Sequence, residues 1–200
     1  MNAQVYIVDD DPAIRDALGS LLADSGLQVQ SYADGDAFLA TSLQQRPACV
    51  LLDVALPGMS GYEVQAALKT RGLLIPIIFL TGHGDVSMAV KAMQAGAMDF
   101  LEKPVRRVEL LERVRRALEI DTRQHREEEV ECQIRQDYAS LSPREQEVMA
   151  LVVAGLSSKE IARQLGVSDR TVHTHRAHVM LKMQAANVAD LVRMASICSS

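Results

Sequence analysis

Over the first hundred residues, short unbroken apolar runs alternate with stretches in which apolar residues recur every three or four positions. The unbroken runs predict strands near residues 4–8, 28–31, 48–53, 75–80 and 98–101. Residues 28–31, Gln-Val-Gln-Ser, make the least apolar of the five. Helices are expected between them. One covers 13–23 and closes at Gly26, Asp34 caps the next, Ser60 caps 61–70, and Asp85 caps 86–95 ahead of Gly96. Such β/α alternation predicts a parallel sheet with helices on both faces.

Beyond Val105 the period becomes helical throughout, and Leu110, Leu111, Val114 and Leu118 form a stripe suited to covering the sheet. Residues 121–137 contain neither Gly nor Pro and consist mainly of good helix formers with little to bury. A flexible tether would be rich in Gly, Ser or Pro, so one helix of about 30 residues, on the order of 45 Å long, is expected to run through this stretch. Val130 and Ile134, four apart, offer a seam for a partner helix. Three shorter helices follow. Ser142-Pro143-Arg144-Glu145 is a capping box with proline at the first helical position, opening a helix with Val148, Leu151 and Val152 on its apolar face and Gly155 at its end. Residues 158–165 form a second helix, Gly166-Val167-Ser168 a tight turn, and 169–183 a third helix capped by Ser168. Two short helices joined through a glycine turn are a helix-turn-helix, and its second helix would enter the DNA major groove. The organisation expected is therefore 1–120, an α/β domain; 121–138, a helical linker; and 139–200, a small all-α domain.

Composition sharpens this division. The chain has 200 residues, 48% of them hydrophobic, and a net charge of −5. The charge is uneven: residues 1–120 carry −4, 121–138 carry −3, and 139–200 carry +2. Only the last segment suits a polyanion. Cys49, Cys132 and Cys198 are odd in number and scattered, which argues against a disulfide scaffold or a zinc site. With no signal peptide and no bilayer-length apolar run, a cytoplasmic protein without membrane contact is expected.

The candidate chemistry lies at strand ends. Val50-Leu51-Leu52 runs into Asp53 before Pro57-Gly58 turns the chain, and open α/β sheets bind ligands at that carboxyl edge. The first strand likewise runs into Asp9, Asp10 and Asp11; Asp11 has an ordinary task as cap for a helix beginning at Pro12. Asp9 and Asp10 beside Asp53 would repel unless a cation neutralised them, and an oxygen-rich cluster of this kind suits Mg²⁺. The fourth strand delivers Thr81 to the same edge and the fifth delivers Lys103. Met88, Met93 and Met98 are read as core or interface, and His83 borders the site without an assigned role.

Asp9-Asp10, Asp53, Thr81 and Lys103-Pro104, spread over roughly the first 120 residues, resemble the receiver domain of two-component response regulators. The resemblance implies a flavodoxin-like five-stranded parallel sheet of order 2-1-3-4-5, with Asp53 as phosphoacceptor. It further implies Asp9, Asp10, Asp53 and the backbone carbonyl of Ala55 as Mg²⁺ ligands, Thr81 and Lys103 on the phosphoryl oxygens, and Phe100 as the aromatic switch. Leu-Ser-Pro-Arg-Glu, Gly-Leu-Ser-Ser-Lys-Glu-Ile-Ala and Thr-Val-His-Thr-His-Arg resemble the LuxR-type domain of the NarL/FixJ response regulators over roughly 139–197. His173 and Thr174 stand where family members often carry lysine and valine. His173, Thr174 and Ala177 are expected toward base edges, with Lys159, Arg170, Thr171, Arg176 and Lys182 completing the DNA face. His173, His175 and His178 do not share one helical face well enough for a metal site.

Together these imply a DNA-binding response regulator, not an enzyme, phosphorylated by a sensor histidine kinase and dimeric when phosphorylated. Double-stranded DNA is its target, and RNA polymerase is a further candidate partner. Two alternatives differ in class. An aspartyl-phosphate phosphatase or phosphotransferase would commonly place an acid two residues after the nucleophile, where this chain has Ala55. A phosphorelay protein without DNA activity would not need the basic helix-turn-helix.

Overall fold

A computed structural model of the chain describes residues 3–43, 45–82 and 96–198. It divides into two compact units, Met1–His125 and Arg126–Ser200. In the first, β1 (Gln4–Val8), β2 (Gln28–Tyr32), β3 (Ala48–Asp53), β4 (Ile77–Thr81) and β5 (Asp99–Glu102) form one parallel sheet of order β2-β1-β3-β4-β5. The interior strands β1, β3 and β4 are buried at every position. β2 pairs with β1 alone and is half-exposed, because an edge strand has no second neighbour to cover it; hence its weak apolar signature. β4 begins two residues later than its apolar run suggests. Pro76 has no N–H for the ladder, and its carbonyl accepts from Val50 N at 2.9 Å instead.

Side chains alternate across the sheet. Tyr6, Val8, Val50, Leu52, Ile77 and Phe79 join one core with α2 (Gly35–Leu39) and α3 (Gly61–Thr70). Val5, Ile7, Cys49, Leu51, Ile78 and Leu80 join a second core with α1 (Pro12–Ala23) and the first part of α4 (Arg107–Ala139). The expected caps are present on Asp11, Asp34 and Ser60, the last as a full capping box with Glu63. Residues 83–95, which hold His83, Asp85, Met88, Val90 and Met93, lie outside the described residues. Met98 packs against the second core.

α4 is one helix of 33 residues. Leu110, Val114, Ala117 and Leu118 bury on the first unit, while Leu111 is half-buried. Asp121 is fully buried there as well: its Oδ2 accepts from Ala48 N at 2.7 Å and lies 3.2 Å from Arg46 Nε. Ile134 belongs to the core of the second unit with Leu141, Val148, Met149 and Ile161. It is therefore not free for a partner helix, correcting the expectation for the Val130–Ile134 seam; Val130 remains exposed. The segment expected as a linker thus contributes a side chain to each unit's interior.

The second unit continues with α5 (Pro143–Val153), α6 (Ser158–Leu165), α7 (Asp169–Lys182) and α8 (Val188–Cys198). Ser142, Ser157 and Ser168 cap the first three, and Gly166 ends α6 in the left-handed conformation at φ 64°. α8 is an element the sequence pattern left unread. Its start is legible in retrospect: Asn187 Oδ1 accepts from Asp190 N at 2.9 Å, and Leu191 turns into the core.

Candidate functional site

Two surfaces concentrate polar chemistry, one in each unit. In the first, β1 and β3 are neighbours and end together, so Asp9, which follows β1, and Asp53, which ends β3, emerge side by side. Asp9 is fully buried and Asp53 nearly so, whereas Asp10 is exposed. One carboxylate oxygen from each of the three lies within 4.8 Å of the others. Thr81 ends β4 beside them and is buried, and Lys103 follows β5. The backbone N–H of Lys103 donates to Thr81 O at 2.6 Å, which brings the fifth strand's end onto the fourth.

Lys103 Nζ bridges the acids, 2.7 Å from Asp9 Oδ2 and 2.9 Å from Asp53 Oδ2. Burial alone would lower the pKa of this ammonium, but the hydrogen bonds and charges of Asp9 and Asp53 outweigh it and hold Lys103 above its ordinary value. For Asp9 burial prevails, raising its carboxyl despite the hydrogen bonds from Lys103 and the Asp11 backbone. The remaining Asp53 oxygen, Oδ1, accepts from Ala55 N at 3.2 Å. Three carboxylates thus face one ammonium, with oxygen donors only. That excess of negative charge, with two of the three carboxylates out of water, fits a small hard divalent cation. Among the described residues no other group of three acids, histidines or cysteines is assembled closely enough to hold a metal, so the three histidines of α7 do not form one. Phe100 lies on β5, half-buried, with its ring 6.4 Å from that of Phe79.

Two residues at this site escaped the sequence reading. Gly61 opens α3, and a Cβ there would stand 2.3 Å from Asp53 O and 3.1 Å from the Phe79 ring; only a glycine lets the helix approach the strand so closely. Arg15, in the first turn of α1, donates from Nη1 to the carbonyls of Asp9 at 2.7 Å and Asp10 at 2.9 Å. The spacing of the Gly gave no sign of the first contact, and backbone acceptors leave no trace in sequence for the second.

In the second unit, α6 and α7 flank the Gly166 turn. Val172 and Val179 face inward, while Arg170, His173, Thr174, Ala177 and Leu181 form one exposed stripe at intervals of three and four. His175 and Arg176 are half-buried, and Lys159 is exposed. Thr171 serves the cap, its N–H donating to Ser168 Oγ at 3.1 Å with the two hydroxyls 2.8 Å apart. The Thr174 hydroxyl donates to Arg170 O at 3.1 Å, which leaves it able to accept. Lys182 is engaged within the unit: its Nζ lies 2.7 Å from Glu145 Oε2. Arg144 supports the turn by donating to Leu165 O at 2.7 Å.

Comparison with known proteins accords with both surfaces. Residues 5–115 match the response regulator receiver domain, and residues 139–195 match the luxR family of bacterial regulatory proteins. The response regulator protein TodT of Pseudomonas putida is 43% identical over 190 residues, which span 95% of this chain and 84% of the relative. The transcriptional regulatory protein FixJ of Azorhizobium caulinodans is 44% identical over 191 residues, spanning 96% and 90%. Among solved structures, that of response regulator StyR has a TM-score of 0.88 at 37% identity, covering 98% of this chain and 99% of the other.

Proposed function

The chain belongs to the NarL/FixJ family of two-component response regulators, DNA-binding transcription factors rather than enzymes, and from that premise we propose that Asp53 is its phosphoacceptor and that phosphorylation there promotes dimerisation and operator binding. The observation carrying this reading is the Asp53 carboxylate, buried at a strand end, with Lys103 Nζ at 2.9 Å and the carboxylates of Asp9 and Asp10 beside it. An Asp53 oxygen attacks phosphorus in a phosphohistidine of the sensor kinase; the P–N bond breaks as the acyl phosphate O–P bond forms. Asp9, Asp10 and Asp53 and, as the family resemblance implies, the carbonyl of Ala55 would hold Mg²⁺, which would supply charge neutralisation at the transferring oxygens. Lys103 supplies a second positive charge already in contact with the acceptor. Thr81 donates its hydroxyl to the bound phosphoryl group, and Phe100 follows its movement.

In the second unit His173, Thr174 and Ala177 face base edges, while Lys159, Arg170, Thr171 and Arg176 contact phosphates. The engagement of Lys182 with Glu145 favours an internal role for that lysine. One small helix-turn-helix reads few base pairs, so two copies on half-sites about one helical turn apart gain affinity through effective concentration. No described helix is long and apolar enough to cross a membrane.

Incubation with Mg²⁺ and acetyl phosphate is expected to add one acid- and alkali-labile phosphoryl group, absent in Asp53→Asn, and to convert monomer to dimer in sedimentation with a parallel gain in operator affinity. Full labelling of Asp53→Asn would overturn the acceptor; an unmodified protein that is already a tight, equally active dimer would overturn the coupling.

A further inference from the structure

The acids of the site differ in what holds them. Asp9 is buried, its Oδ1 accepts from Asp11 N at 3.0 Å, and its Oδ2 lies against Lys103. Asp53 is held at both oxygens. Asp10 is exposed, and among the described residues its carboxylate has no hydrogen bond or ion pair of its own. Its backbone is gripped by Arg15, whose Nη1 donates to the carbonyls on both sides of the Asp10 Cα, those of Asp9 and Asp10. Each carbonyl lies in a peptide plane, and fixing the two planes that flank one Cα fixes φ and ψ, and with them the direction of the Cα–Cβ bond from which the carboxylate extends.

We propose that Arg15 is a positioning residue for cation binding, preorganising the Asp10 carboxylate by clamping the carbonyls of Asp9 and Asp10. The geometry separates this role from two others. Arg15 forms no ion pair among the described residues, so it is not balancing a neighbouring acid. As a bare positive charge near the cluster, it would repel a divalent cation. The two effects have opposite signs: loss of the charge tightens binding, whereas loss of the clamp weakens it because Asp10 must then be ordered at the moment of binding.

This inference rests on the reading of the acidic cluster as a Mg²⁺ and phosphoryl site, and the experiment keeps the two apart. In calorimetric titration of the full chain with Mg²⁺, Arg15→Gln is expected to bind on the order of tenfold more weakly than the parent. Arg15→Lys, whose ammonium can still donate to one of the two carbonyls although it keeps the repelling charge, should recover part of that loss. Labelling of Asp53 by acetyl phosphate should need more Mg²⁺ for half its maximal rate in Arg15→Gln, with the maximal rate near that of the parent. Circular dichroism and the melting temperature of both variants monitor the fold. Equal or tighter Mg²⁺ binding by Arg15→Gln, with the parent labelled normally, overturns the clamp and leaves the site assignment intact. A parent that neither binds Mg²⁺ nor takes a phosphoryl group on Asp53 overturns the site, and the clamp with it.

Discussion

Glu145 shows how one carboxylate can be spent on structure while others of the same kind serve chemistry. It is the third residue of a capping box, buried, with Oε2 accepting from Ser142 N at 2.8 Å and 2.7 Å from Lys182 Nζ, and with Oε1 3.5 Å from His178 Nδ1. The hydrogen bond from Lys182, then that from the Ser142 backbone, hold its carboxyl down at about 2, against an ordinary value of about 4.5. Because the folded carboxyl gives up its proton more readily than the unfolded one, acid favours the unfolded chain. Stability of the second unit should be level above about pH 5 and fall as pH drops through the range between those two values, with Lys182→Met both less stable and less acid-sensitive. Urea unfolding followed across pH 2 to 7 measures this, and an identical pH profile for Lys182→Met would remove the pair from the account. Lys182 was legible as a basic residue of a helix-turn-helix, but not as one committed to Glu145, since 37 residues separate them. Asp53 and Lys103 were legible for the opposite reason: each breaks an apolar strand at the sheet edge where ligands bind. Arg15 left no such mark because its acceptors are carbonyls, which every residue has.

Among the elements, those with a periodic apolar face and a capping residue were readable: α3 and α5 begin at the serine boxes their sequences display. Closeness of approach was not readable. α3 begins against β3 at Gly61, where Cβ atoms cannot fit, so Gly61→Ala must push the helix from Asp53 or distort the strand end. A stability loss of about 1 to 3 kcal/mol is expected, as for other overpacked sites. Slower labelling of Asp53 by acetyl phosphate should accompany it, because the displaced backbone is the one that carries the proposed acceptor. Labelling at the parental rate in a destabilised Gly61→Ala protein would show that strain at this contact is absorbed by the helix alone. The four-residue spacing of Val130 and Ile134 also carried real information, an apolar helix face, without saying which surface would cover it. Ile134 is covered by its own unit.

At the scale of the whole molecule, charge and chemistry are partitioned: the acidic cluster sits in the first unit and the only net-positive segment in the second. α4 runs through the division between them, which falls after His125. Where the chain can be cut is therefore decided by a buried carboxylate and not by the limits of family likeness, which end at residue 115. A fragment of residues 1–120 deletes Asp121, and with it the acceptor of the Ala48 N–H and the ion pair to Arg46 at the start of the strand that ends in Asp53. A fragment of residues 1–125 keeps both and should be more stable by about 2 to 4 kcal/mol. Equal urea midpoints for the two fragments would show this contact to be dispensable. Any fusion that borrows the receiver half of this chain, or any protease that would release it intact, should sever the helix beyond Asp121.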